Sequence, residues 1–140
     1  MNKYQFEDIY VGLKEEFQVT VTADMLKQFC QLTGDVNPLH TNEEFAKEKG
    51  YVSNVAYGML TASFLSTLAG VYLPGERSLI HSVESKFVKP VYVGDTLTVS
   101  GQVTECNEMF AVFTMKTVIT NQNGEKVLRG KMQVGILGEK

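Results

Sequence analysis

The chain has 140 residues, enough for one domain and hard to divide into two self-sufficient cores. Hydrophobic residues make up 44% and charged residues 21%, a globular balance that argues against disorder. The net charge is −3 and the thirteen Lys and Arg are scattered, so no basic field exists to attract nucleic-acid phosphates.

In chain order, residues 17–21 (FQVTV) alternate apolar and polar side chains as a half-buried strand does. Thr22 or Asp24 then caps a helix whose Met25, Leu26, Phe29 and Leu32 share one face, and Gly34 ends it. The segment 35–40 (DVNPLH) cannot be regular helix, because Pro38 pushes Asn37 toward an extended conformation. Thr41 or Asn42 opens a short polar helix that closes at Gly50.

Residues 55–73 carry no charge, and their length approaches the ~20 residues of a membrane span. They are interrupted by Gly58, Thr61, Ser63, Ser66 and Gly70 and lack a basic flank, so the expectation is a helix over 58–70 buried by its own protein. Its small residues (Ala62, Ser63, Ser66, Ala69, Gly70) form a stripe that allows a sheet or a second chain to approach closely. Leu60, Phe64 and Leu68 are the bulky counterpart.

The remainder reads as strands: 82–88, then Pro90 and a turn at 93–95, then 96–104, 109–120 and 126–137, the last two joined by an Asn123-Gly124 hairpin signal. Three long consecutive strands with short connections imply an antiparallel meander. Its apolar face needs a cover, and the uncharged helix is the element apolar enough to supply one. The predicted architecture is α+β, a curved antiparallel sheet wrapped around one long central helix, which is the hot-dog fold, as one domain over 1–140.

Chemistry concentrates in two places. Asp35 and His40 are five residues apart, which on a helix would point them about 140° away from each other. The Asn37-Pro38 break replaces the helix with a turn that can bring both to one point. A carboxylate and an imidazole sharing a water can act together, one removing its proton while the other donates to the reacting carbon. Taken alone, the motif reads more readily as Asp35 capping a helix that begins near Pro38, with His40 on the surface. Gly58 opens the uncharged helix, whose free N–H groups and positive dipole end suit an oxyanion. Ser66, eight residues on, lies on the same broad face and could line a pocket or simply pack. No GxSxG setting, phosphate loop or metal-ligand spacing is present, and no metal or cofactor is expected. Cys30 and Cys106 match no ligand pattern. Cys30 reads as a reduced, buried thiol, and with no targeting signal at the N-terminus a cytoplasmic location is expected.

The run 32–46 (LTGDVNPLHTNEEFA) closely resembles the hydratase signature of MaoC-like dehydratases, including the (R)-specific enoyl-CoA hydratases. The likeness continues through 55–70 (VAYGMLTASFLSTLAG), 73–78 (LPGERS) and 87–99 (FVKPVYVGDTLTV). The resemblance implies a hot-dog homodimer that takes an acyl chain on CoA or a carrier protein. Asp35 and His40 would be its catalytic pair, the Gly58 backbone N–H its oxyanion donor, and Ser66, with Tyr57 and Met59 beside the glycine, its substrate contacts. The implied reaction is syn addition of water to a trans-2-enoyl thioester, giving the (R)-3-hydroxyacyl product, or the reverse dehydration. Many relatives carry His where this chain has Tyr57, which could reshape the pocket wall or hydrogen-bond the substrate. The alternatives are a hot-dog thioesterase, disfavoured because residues 58–70 contain no Asp or Glu, and a non-catalytic acyl-binding subunit.

Overall fold

The structure is a computed structural model that describes residues 1–138. After a 3-10 turn at Phe6–Asp8 come strand β1 (Lys14–Thr20), helix α1 (Ala23–Thr33), the single-turn helix α2 (Pro38–Thr41) and helix α3 (Glu43–Glu48). Helix α4 (Gly58–Thr67) follows and continues as a π-helical turn, Leu68–Tyr72. Four strands complete the fold: β2 (Ser78–Phe87), β3 (Thr96–Asn107), β4 (Val112–Thr120) and β5 (Lys126–Ile136).

The strands form one sheet in the order β1-β3-β4-β5-β2, with every pair antiparallel. β3, β4 and β5 are the expected meander, and β1 and β2 take its two edges. Period-two alternation decides which face is apolar. Leu97, Val99 and Val103 on β3, Phe113, Met115 and Ile119 on β4, and Met132 and Val134 on β5 are all buried in one core cluster with Leu60, Leu65 and Leu68. Burial of each such side chain is worth about 1.5–3 kcal/mol, so the helix and the sheet stabilise one another.

Gly101 sets how closely they approach. A Cβ at that position would lie 2.7 Å from the Met115 sulfur and 3.0 Å from a Leu68 methyl. Glycine there leaves room for the Leu68 side chain against the middle of the sheet.

Several sequence expectations change. Thr22, rather than Asp24, caps α1, its Oγ1 accepting from the Met25 N–H at 3.2 Å. Gly34 ends the helix in the left-handed conformation, φ 76°. Leu32 is 83% exposed, because α1 packs through Leu26 and the half-buried Met25 and Phe29. Cys30 is half-buried rather than buried. β2 begins at Ser78, four residues before its expected start, and β4 begins at Val112 after a turn in which Ala111 has φ 50°. α4 is not wrapped all round, since Met59, Ser63 and Ser66 lie exposed along one side of it. No helix among the described residues is long and apolar enough to cross a membrane.

Candidate active site

The site is assembled by a chain of local caps. After Gly34, Asp35 Oδ1 accepts the Asn37 N–H at 3.1 Å, closing a tight turn. Asn37 is extended (ψ 129°), as a residue before proline must be. Its Oδ1 accepts the Leu39 N–H at 3.0 Å and caps α2, in which Pro38 fills the first position. The helix cap is therefore Asn37, and Asp35 serves the turn before it. Only one oxygen of the Asp35 carboxylate is engaged by a hydrogen bond among the described residues.

His40 rides on α2 and is held from the following segment. The Val55 N–H donates to the Leu39 carbonyl at 3.0 Å, and Asn54 Nδ2 donates to the His40 carbonyl, also at 3.0 Å. The imidazole Nδ1 lies 2.7 Å from the Val55 carbonyl oxygen. A carbonyl only accepts, so Nδ1 carries the hydrogen and the neutral ring keeps its lone pair on Nε2. The Ala56 N–H binds the Val91 carbonyl at 2.7 Å, which anchors this segment to the turn before β3 and sets where α4 begins.

α4 starts at Gly58 with no side-chain cap. The N–H groups of its first turn have no intrahelical partner and, with the helix dipole, make a donor-rich mouth. His40, Val55, Gly58, Thr61 and Phe87 line a common cavity of about 260 Å³. A Cβ on Gly58 would sit 3.1 Å from the Phe87 ring, so the bare glycine is what leaves the mouth open. A second cavity of about 460 Å³ lies against His40 as well, lined by Leu26, Cys30, Asn54, Tyr57 and Val93 among others.

Tyr57 is 2% exposed. Its hydroxyl donates to the Asp35 backbone carbonyl at 2.6 Å, and its ring packs against His40 with centroids 4.2 Å apart. Burial, then the adjacent Cys30 thiol and the Asp35 carboxylate, push its phenol up to about 12.

His40 and Gly58 are thus brought to one cavity. Asp35 is exposed in the single chain, its side chain lines neither cavity, and no hydrogen bond joins it to His40 among the described residues. Met59 is 65% exposed, and neither it nor the exposed Ser66 lines either cavity. The Tyr57 hydroxyl donates to the Asp35 carbonyl, and the side chain forms part of the wall of the second cavity. Sequence reasoning passed over Thr61, Phe87 and the Val55 carbonyl. Thr61 was within reach, being one helical turn beyond Gly58. Among the described residues no group of three or more His, Cys, Asp or Glu is placed to hold a metal ion.

An imidazole that shares a small cavity with helix N–H donors suits proton transfer beside a developing oxyanion. Comparison with known proteins bears on what that chemistry serves. Residues 9–125 match the family model described as a MaoC like domain. The chain belongs to the MaoC-like family. Among MaoC-like relatives, the (R)-specific enoyl-CoA hydratase of Rhodospirillum rubrum is 33% identical across 94% of this chain and 90% of its own length. That of Aeromonas caviae is also 33% identical, across 91% of this chain and 96% of its own. In three dimensions the (R)-hydratase from A. caviae superposes with a TM-score of 0.89, covering 93% of this chain and 98% of that one at 32% identity. An R-hydratase from Pseudomonas aeruginosa gives 0.89 as well, covering 96% and 86% at 28% identity. The MaoC-like resemblance and the hot-dog fold expected from the sequence both hold.

Proposed function

We propose that this MaoC-like chain is an (R)-specific hydratase of trans-2-enoyl-CoA thioesters, working also in the dehydrating direction. One observation carries the reading: His40, with its tautomer fixed by the Val55 carbonyl, opens onto the same cavity as the Gly58 N–H end of α4. The relatives named for this activity, matched over nearly the whole chain, support it.

In this scheme the thioester carbonyl accepts from the Gly58 N–H. A water is shared by Asp35, through its unengaged carboxylate oxygen, and His40. One of the pair removes a proton from the water as its oxygen bonds to C3. The C2–C3 electron pair moves toward the carbonyl, whose growing negative charge the N–H donors stabilise. That same proton is then delivered to C2, so the pair returns to its starting protonation state. Atoms and charge balance without a cofactor or metal.

The proposal includes a homodimer. β2 is an edge strand, unpaired on one side among the described residues, and exposes Leu79 and Val83, with Met59 of α4 also exposed. Unpaired strand edges and apolar exposure of this kind call for a partner. A cytoplasmic setting fits the two free cysteines.

Crotonyl-CoA tests the reaction. Loss of enoyl absorbance with no thiol release, and a 3-hydroxybutyryl product of R configuration, is the expected result. Thiol release would make the protein a thioesterase, and silence across chain lengths would leave it a binder; either outcome ends the hydratase reading.

A further inference from the structure

We infer that Tyr57 is a positioning residue, a strut that fixes the Asp35 turn relative to the His40 ring while anchoring the first residue of the oxyanion helix. The inference rests on the hydratase reading and deepens it. Asp35 and His40 stand on separate short segments, a turn and a one-turn helix, and neither side chain holds the other. Two groups that must address one water to within a fraction of an ångström need a rigid reference. Tyr57 touches both. Its hydroxyl donates to the Asp35 carbonyl at 2.6 Å, across 22 residues of sequence, and its ring lies 4.2 Å from that of His40.

The ring also packs against Phe29, at 4.8 Å between centroids, so the strut is braced against α1. Its backbone is the N-cap of α4, directly before Gly58. One residue therefore links the carboxylate turn and the imidazole through its side chain and the N–H donors through its backbone. The titratable neighbours are Cys30, Asp35 and His40. Burial by this surrounding keeps the phenol protonated, and so a donor, well above neutral pH. A His in this position has a shorter reach than a phenol, so this particular tie to the Asp35 carbonyl is a feature of a chain with Tyr here.

Tyr57→Phe keeps both ring contacts and removes only the tie. Displacement of a catalytic group by about an ångström costs up to ~10²-fold in rate. The expected result is kcat lowered roughly 10- to 100-fold with KM within about twofold, and faster amide hydrogen exchange at residues 35–37 while α4 keeps its protection. A second protein carrying 3,5-difluorotyrosine at position 57, whose phenol is more acidic, should lose kcat on the alkaline side at a pH where the wild type is unaffected. Wild-type kcat in Tyr57→Phe, a rise in KM alone, or an unshifted alkaline limb in the fluorinated protein would overturn the strut. If the wild type itself hydrates no enoyl-CoA, the hydratase reading fails separately. Exchange at 35–37 then still decides whether Tyr57 holds the turn.

Discussion

Gly58→Ala separates stability from chemistry at the mouth of α4. The added methyl would meet the Phe87 ring at 3.1 and 3.2 Å, a few tenths of an ångström too close. Phe87 is 53% exposed at the end of an edge strand, so its ring can turn aside for about 0.5–1 kcal/mol. Gly58 has no left-handed backbone to strain, and alanine gains up to about 1 kcal/mol over glycine within a helix. The two effects nearly cancel. Folding stability should stay within about 1 kcal/mol of wild type, which for a chain of this size moves the midpoint by only about 4 °C. Activity should not be spared. The methyl stands in the cavity shared with His40, where the thioester oxygen must reach the N–H donors, and losing one such donor costs about 10²–10³-fold. Initial rates with crotonyl-CoA and a thermal melt on the same sample read both quantities. A variant with wild-type kcat/KM would refute the placement of the carbonyl at Gly58, and a melt lowered by more than 10 °C would refute the freedom given to Phe87.

Three further outcomes follow from the packing. Because the Tyr57 phenol is raised from its usual 10 to about 12, the folded state favours the protonated form, and that contribution is fully present below pH 10 and lost as pH climbs toward 12. The stability advantage of wild type over Tyr57→Phe should therefore shrink by about 2–3 kcal/mol between pH 10 and 12 in urea titrations; a constant difference would contradict the shift. Leu68→Ala removes a side chain with no exposure, wedged against Gly101 and the sheet, and should cost about 2–5 kcal/mol by denaturant unfolding; a loss below 1 kcal/mol would mean the helix does not depend on that contact. Val83→Lys on the β2 edge should convert a dimer to a 15.6 kDa monomer in sedimentation, whereas an unchanged mass would put the interface elsewhere.

The sheet was legible wherever one face is buried. β3 and β4 show the alternation of Leu97, Val99 and Val103, and of Phe113, Met115 and Ile119, because solvent and core lie on opposite sides of them. β2 was read four residues short because, at the edge of the sheet, it exposes apolar and polar residues alike and its pattern carries little contrast. The same limit applies to Leu32. Helical spacing placed it with Leu26, but spacing cannot tell how far along a helix the neighbouring layer extends. In the site, the turn at 35–37 and the start of α4 were readable from Pro38, Asn37 and Gly58, since caps and proline act over a few residues. The contacts that hold His40 and Asp35 come from Val55 and Tyr57, which are 15 and 22 residues distant, and no local pattern encodes them. The Asp35 side chain lies outside both cavities that touch His40, so its part in handling the water is a question for kinetics.

A kinetic cycle on the acid–base pair puts that question directly. Crotonyl-CoA hydration would be followed in single turnovers for wild type, Asp35→Asn, His40→Ala and the double variant. If both groups handle one water, each single change lowers the rate about 10²–10⁴-fold and the double is scarcely slower than the worse single, because the pair acts as a unit. A near-wild-type rate in either single variant, or losses that multiply in the double, would contradict it.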